Sequence, residues 1–125
     1  MDIPSELKYT EEHEWLSVAD DIATVGITDY AQDELGDIVY LEISEVGTIL
    51  GQMEVFGTIE AVKTVAELFS PVSGEIMEIN SKLEDEPEII NNDPYTEGWM
   101  IKIKMGNPSE LDDLLSPEEY KSLIS

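Results

Sequence analysis

Lys63 is the residue whose surroundings first suggest a chemical role. It lies between two strand-like runs, 55–62 and 65–69, and a long charged side chain between adjacent strands is expected at a hairpin tip. The tip, Ala61 to Thr64, contains no Gly or Asn to mark the turn. Local rules alone therefore describe Lys63 as an exposed lysine with no further task.

The other side chains that could perform chemistry lack a supporting pattern. His13 is the only histidine, so no multi-histidine metal site can form, and no G-x-S-x-G motif accompanies it. We expect a packing or surface role for His13. The acidic clusters do not match the spacing of a calcium loop, and no glycine-rich phosphate loop occurs. We predict no catalytic residue and no metal site in this chain.

The charge balance excludes several classes of function. Asp and Glu together number 29, the six cations are all lysines, and the formal net charge is −23. Such a chain repels a phosphate backbone and an anionic lipid surface, so we expect no nucleic-acid partner and no membrane partner. A domain that meets basic partner surfaces fits this charge better.

The chain contains no cysteine, so it can form no disulfide cross-link and has no thiol of its own. Disulfides, thiolate zinc sites and cysteine nucleophiles are excluded, so any thiol chemistry has to come from a cofactor. The N-terminus has no basic region followed by an apolar run, and no apolar stretch approaches the roughly 18 residues of a membrane span. We expect a cytoplasmic location, although a processed organelle protein would have the same features.

The length of 125 residues predicts a single domain, 1–125, and most of its elements are expected to be short strands. β-Branched residues or an apolar–polar alternation mark each of them, although Phe56 interrupts the polar face of one. Turn residues separate them at short intervals, which is typical of a mainly β sandwich or partly closed barrel. The predicted strands are 22–27, 38–43, 53–62, 65–69, 75–79 and 99–105.

Short helices are expected near the N-terminal third of the chain and at the C-terminus. Thr28 is a candidate N-cap and Gly36 a candidate stop for a helix over 29–35. The stretch 107–110 places a cap residue, a proline and a glutamate in the order typical of a helix start, and 116–119 repeats the pattern. An apolar stripe for the first of these C-terminal helices would come from Leu111, Leu114 and Leu115.

The segment around Lys63 resembles the attachment site of biotinyl and lipoyl carrier domains. Its sequence is E-A-V-K, with Glu60 three residues before the lysine, and S-P-V-S-G follows, with Pro71 and Gly74 closing the next strand. Biotin carriers place the lysine between two methionines, but its neighbours here are Val62 and Thr64. The lipoyl domains of 2-oxoacid dehydrogenases usually have an aspartate at the position of Val62.

The remaining landmarks resemble one family, the H protein of the glycine cleavage system. This resemblance covers nearly the whole chain, with mild departures at Ala61, 64–65 and Glu67 that leave Lys63 intact. It implies a small barrel-sandwich hybrid of antiparallel strands, with a lipoyl-binding core over 22–104 and a helical segment over 107–125. The matching stretches are 8–15, 23–32, 35–39, 71–75, 92–95 and 98–104.

The resemblance also implies a function and a cofactor. Lipoic acid is expected in amide linkage on Lys63, which makes the chain a carrier subunit and not an enzyme. Glycine decarboxylase (the P protein) would load an aminomethyl group, the aminomethyltransferase (the T protein) would remove it, and dihydrolipoyl dehydrogenase (the L protein) would reoxidise the dithiol. A lipoate-attaching enzyme is a fourth expected partner, and the carrier is expected to be a monomer.

Three glutamates are candidates for contacts with the arm or its enzymes. A carboxylate beside the arm would hold a cationic amine, and Glu14 is the first candidate and Glu67 the second. Glu60 either helps the lipoate-attaching enzyme to recognise the hairpin or simply faces solvent. Three alternatives stay open: a relay that hands lipoyl groups to other enzymes, a biotinyl carrier, and an acidic interaction domain that keeps the fold without the arm.

Overall fold

The computed structural model describes residues 2–125 and is built mainly from antiparallel strands. Nine strands are present in this range, and every strand pairing is antiparallel. The mainly β prediction is confirmed. The strands are β1 (Lys8–Tyr9), β2 (Glu14–Ala19), β3 (Ile22–Ile27), β4 (Ile38–Ile43), β5 (Ile49–Leu50), β6 (Val55–Ala61), β7 (Val65–Phe69), β8 (Gly74–Ile79) and β9 (Ile101–Met105).

The strands form two sheets. Six of them pair in the order β1-β2-β3-β9-β8-β5, and the other three pair in the order β4-β6-β7, which leaves β7 at an edge. Buried aliphatic side chains from both sheets join one core, for example Val25 and Ile103 from the larger sheet and Leu41 and Ile59 from the smaller one. The alternation of β9 is as expected, since Ile101 and Ile103 are fully buried.

A bulge explains why Phe56 breaks the alternation of its strand. The register of β6 against β7 shifts between Val55 and Gly57, and this turns the Phe56 side chain into the core, where it is fully buried. Gly57 is required beside it, because a Cβ built there would lie 2.4 Å from the carbonyl oxygen of Glu42. The strand also begins at Val55 and not at Met53, whose φ of 63° belongs to a turn.

Four α-helices and one 3₁₀ helix connect or follow the strands within residues 2–125. The bounds are α1 Asp29–Leu35, α2 Lys82–Asp85, α3 Ile89–Asn92, the 3₁₀ helix Pro108–Asp113 and α4 Pro117–Ile124. The predicted N-cap of α1 is confirmed, since the Thr28 side chain accepts a hydrogen bond from the Ala31 N–H, and Gly36 ends the helix with a φ of 81°. Helices α2 and α3 are single turns that no sequence signal predicts.

The two predicted C-terminal helix starts have different outcomes. Ser116 forms a capping box with Glu119 at the start of α4, as expected. The segment after Asn107 is instead a 3₁₀ helix, and the Asn107 side chain makes no cap bond. The Glu110 carboxylate leaves its own helix and accepts hydrogen bonds from the backbone N–H and the hydroxyl of Ser73, both at 2.8 Å. A tertiary contact therefore replaces the local cap.

A second, smaller cluster joins the two ends of the chain. Tyr120 of α4 is fully buried and stacks on Tyr9 of β1, with ring centroids 4.7 Å apart. Trp15 belongs to the same cluster, and its indole N–H donates to the Pro94 carbonyl at 3.0 Å. The cluster holds α4 against the turn between β1 and β2, where the functional site begins.

Candidate functional site

Lys63 lies at the tip of the hairpin formed by β6 and β7, as the sequence predicts. The tip consists of residues 62–64, and the Ala61 N–H donates to the Thr64 carbonyl at 2.8 Å to close it. Lys63 is exposed, and it takes part in neither of the two ion pairs, Lys82–Glu97 and Lys102–Glu78, found in residues 2–125. Its amino group is therefore open to reagents from solvent.

The hairpin tip rests on the connection between α1 and β4. The Val62 N–H donates to the Asp37 carbonyl at 3.0 Å. A Cβ built on Gly36 would lie 3.3 Å from Cε and 3.7 Å from Nζ of Lys63, so the lysine stem runs directly over this glycine. The conformation of the α1–β4 connection thus sets where the lysine is presented.

Asn91 of α3 holds that connection in place. Its side-chain amide donates to the Gly36 carbonyl at 2.9 Å and to Oε1 of Gln32 at 3.0 Å, and its Oδ1 accepts the Ile38 N–H at 2.9 Å. One side chain therefore ties the end of α1 to the start of β4. No sequence rule for turns or caps identifies this role, because the bonded residues are 53 or more positions away.

A cavity of about 420 Å³ opens between α1, β7 and the turn that precedes β2. We call it the cleft. Its wall combines aliphatic and aromatic side chains with four glutamates, and Leu35, next to the glycine under the Lys63 stem, belongs to it. The lining residues are Glu12, His13, Glu14, Ile27, Tyr30, Ala31, Glu34, Leu35, Ile59, Ala66, Glu67, Leu68 and Phe69.

Glu14 is the buried polar group of the cleft, with only 1% of its surface exposed. The Thr10 hydroxyl donates to one carboxyl oxygen at 2.6 Å, and the Phe69 N–H donates to the other at 3.3 Å. Phe69 ends the edge strand β7, so Glu14 supplies an acceptor where a neighbouring strand is missing. Thr10 in turn accepts the N–H groups of Glu12 and Glu14.

Burial dominates the acid–base behaviour of Glu14. It raises the pKa of Glu14 to about 8, although the bonds from Thr10 and Phe69 act in the opposite direction. The Glu14 carboxyl group is therefore mostly neutral at pH 7. A cation placed beside it favours the ionised form, so the site is suited to a positively charged guest.

The other sequence candidates occupy different positions. Glu67 lines the cleft, as Glu14 does, but it is exposed. Glu60 does not line the cleft; in the register of the smaller sheet it stands between Tyr40 and Val65, which are 53% and 62% exposed. His13 is half-buried in the cleft wall, and its φ of 71° places it in a tight turn over 10–14.

Two kinds of site receive no support from the described residues. Within 2–125, no group of three His, Cys, Asp or Glu side chains converges in a way that could hold a metal ion. No helix in that range combines the length and the apolar character needed to cross a bilayer.

Comparison with a solved structure identifies the fold class of this protein. Two antiparallel sheets with a few short helices are the arrangement of a lipoyl-domain-like barrel-sandwich hybrid. The structure is similar to that of a glycine cleavage system H protein from Mycobacterium marinum, with a TM-score of 0.86 and 36% identity, covering 96% of this chain and 97% of that one. The predicted fold class is confirmed.

The sequence comparisons name the family. The chain is 53% identical to the glycine cleavage system H protein of Staphylococcus carnosus, over 99% of this chain and 98% of that protein. It is 55% identical to that of Bacteroides thetaiotaomicron, over 100% and 99%. The family model for the glycine cleavage H-protein matches residues 7–125. The chain belongs to the glycine cleavage H-protein family, and the expected role of a carrier in that system is confirmed.

The raised pKa of Glu14 predicts a pH-dependent stability. Between about pH 5 and pH 8 the unfolded chain has lost the Glu14 proton while the folded chain retains it. The free energy of unfolding therefore falls as pH rises, by roughly 1 kcal/mol per pH unit from this group. Glu14→Gln removes this contribution, so urea titrations across this window should give a flatter curve for the variant. Glu67→Gln should keep the slope of the parent; parallel curves for parent and Glu14→Gln would refute the assignment.

Asn91→Asp tests the support under the lysine. The carboxylate keeps the acceptor for Ile38 but loses both donors, to Gln32 and Gly36. Asn80→Asp is a matched control, because Asn80 also donates to two partners, the Glu97 and Trp99 carbonyls, and accepts one N–H, that of Lys82. Each variant should lose about 1–3 kcal/mol. Only Asn91→Asp should speed hydrogen exchange at the Val62 amide beyond that global loss; equal Val62 exchange in both variants would contradict the role.

Proposed function

We propose that Lys63 carries lipoate in amide linkage and that the cleft shelters the loaded end of this arm. The single observation that supports the proposal most strongly is a buried carboxyl group, Glu14, in a cavity that begins beside the lysine stem. When bound, the lipoyl group supplies the thiol chemistry that a chain without cysteine lacks. The chain itself then acts as a substrate of other enzymes and not as a catalyst.

The residues of the cleft fit a lipoyl arm that ends in an amine. Ile27, Leu35, Ile59 and Leu68 provide apolar surface for a hydrocarbon chain and for sulfur, and the three glutamates other than Glu14 surround it with negative charge. A cavity of about 420 Å³ is in the range that binds small organic groups. A negatively charged thiolate or phosphate would be repelled from the same wall, so the cleft favours a cationic cargo.

Glu14 is the residue that holds this cargo in the proposal. An ammonium group beside its carboxyl would ionise it and receive a charge-assisted hydrogen bond in a place with little water. One carboxylate oxygen is already bonded to Thr10 and the other to Phe69, so the orientation of the carboxylate is fixed before the ammonium group binds. Glu67, exposed at the same cavity, adds attraction at longer range.

The partner enzymes follow from the function. We assign the P protein, the T protein and the L protein as the enzymes that receive the arm, together with a lipoate-attaching enzyme that installs it. With a net charge of −23, the carrier is attracted to basic entrances and docks transiently. For the attaching enzyme we assign the exposed row of Tyr40, Glu60 and Val65 as the part of the hairpin that is recognised.

Lys63→Arg tests the attachment. The variant keeps a positive charge at the tip but has no acylable amine, so incubation with lipoate and a lipoate-attaching enzyme should leave its mass unchanged, whereas the parent should gain one lipoyl group. Lys121→Arg, which alters another exposed lysine, should be modified like the parent. Intact mass spectrometry and peptide mapping decide the result. A lipoyl group at another lysine, or a biotinyl group with a biotin-attaching enzyme, would overturn the assignment.

Glu14→Gln tests the shelter. The amide cannot provide a full negative charge to the ammonium, so the aminomethyl group should be lost from the loaded carrier faster than from the parent, by about tenfold or more. Loss is followed as released formaldehyde or by intact mass over time. Glu67→Gln should have a smaller effect and Glu60→Gln none, since Glu60 does not line the cleft. An unchanged rate in Glu14→Gln would remove this residue from the proposal.

A further inference from the structure

The C-terminal helix α4 reaches the wall of the cleft through one hydroxyl group. Tyr120 is fully buried, and its oxygen lies 2.9 Å from Nδ1 of His13 and 2.7 Å from Oγ1 of Thr28. His13 lines the cleft and packs against Tyr30 of α1, with ring centroids 4.9 Å apart. Thr28 is the N-cap of α1. One phenol therefore joins His13 of the cleft wall to the N-cap of α1.

The direction of these two hydrogen bonds can be derived from the Thr28 hydroxyl. Its oxygen already accepts the Ala31 N–H at 3.2 Å, and the side chain has no contact with solvent. A buried hydroxyl hydrogen has to be donated, and the Tyr120 oxygen is the hydrogen-bond partner that remains for it. Thr28 thus donates to Tyr120, and Tyr120 donates its own hydrogen to its other hydrogen-bond partner among residues 2–125, Nδ1 of His13.

We propose that Tyr120 is a positioning residue that holds His13 as the neutral tautomer with its hydrogen on Nε2. Because Nδ1 accepts the Tyr120 hydrogen, the remaining ring nitrogen is a donor and not an acceptor. The reverse order, with Nδ1 donating to Tyr120, would leave either the Thr28 or the Tyr120 hydroxyl hydrogen buried without an acceptor. The relay therefore selects one of the two tautomers of the neutral ring.

This selection matters for the cargo of the proposed carrier. The titratable groups that face His13 are Glu12 and Glu14 on its own turn, Tyr30 and Glu34 on α1, Glu67 on β7 and Tyr120 on α4. Burial lowers the pKa of His13, against the opposite effect of Glu12 and Glu34. A neutral ring with a defined orientation leaves the negative charge of the cleft undiminished for an ammonium group. This part of the inference rests on the proposed function, whereas the tautomer does not.

The tautomer can be measured directly on the chain without its arm. His13 is the only histidine, so in a ¹⁵N-labelled sample its ring nitrogens need no assignment. Long-range ¹H–¹⁵N spectra above the His13 pKa should show an unprotonated Nδ1 and a protonated Nε2. A protonated Nδ1 in the parent chain would overturn the proposal without the need for any variant.

Tyr120→Phe removes the relay, and Tyr9→Phe is its matched control. Both rings are fully buried and stack on each other, but the Tyr9 hydroxyl donates to the Pro4 carbonyl at 2.6 Å, away from the cleft. Tyr120→Phe should give both tautomers of His13 or reverse their order, whereas Tyr9→Phe should keep the spectrum of the parent. An unchanged His13 spectrum in Tyr120→Phe would contradict the relay.

The loaded carrier provides a second measurement. Tyr120→Phe should speed loss of the aminomethyl group by about two- to tenfold, the effect expected when one neutral hydrogen bond in the wall is removed, and Tyr9→Phe should not. A changed tautomer with an unchanged rate would refute the role in holding cargo. If Lys63 accepts no lipoyl group, the proposed function is refuted, but the tautomer of His13 can still be tested, because it is measured on the chain without the arm.

Discussion

Burial of one carboxyl group, Glu14, is the constraint around which this protein is arranged. A buried acid is unfavourable unless its oxygens are bonded, and the bonds come from Thr10 on one side and the edge of β7 on the other. Those two donors join the smaller sheet to the turn between β1 and β2 of the larger one. The burial of Glu14 that lowers the free energy of unfolding as pH rises is also the feature that makes the cleft receptive to a cation.

The two walls of the cleft are held by side chains that lie far from it in sequence. Asn91 holds the end of α1 and the α1–β4 connection that lies under the Lys63 stem. Tyr120 holds the start of α1 and the ring of His13. Helix α1 has seven residues, too few to be stable alone, so its position depends on these contacts at both ends. A rigid frame of this kind lets the flexible part of the protein be confined to one lysine side chain and what is attached to it.

The sequence was informative where the relevant forces are local. Thr28 and Ser116 are caps because their bonds close within three residues, and the hairpin around Lys63 follows from two alternating runs. Asn107 has the same local pattern, but its side chain makes no cap bond, and the Glu110 carboxylate accepts a hydrogen bond from the distant Ser73 N–H instead. Strands β1 and β5 have only two residues each, which is too short for any apolar–polar alternation. Asn91 and Tyr120 form hydrogen bonds with residues that come near them only in the folded chain. Glu14 is a candidate because of a family resemblance, and its role toward the arm stays a prediction, whereas its burial is a property of the folded chain.

The net charge of the chain and the carboxyl group in the cleft act on binding partners in different ways. The net charge of −23 is spread over many exposed acids, and at physiological salt each is screened beyond about 8 Å. Such a field steers encounters with basic surfaces but cannot distinguish one small cargo from another. Discrimination requires a group that is shielded from salt and fixed in direction, and Glu14 meets both conditions with 1% of its surface exposed. In the proposed carrier, acylation of Lys63 would remove the one cation at the hairpin tip, so the arm would enter a negative cleft without a competing positive charge at its base.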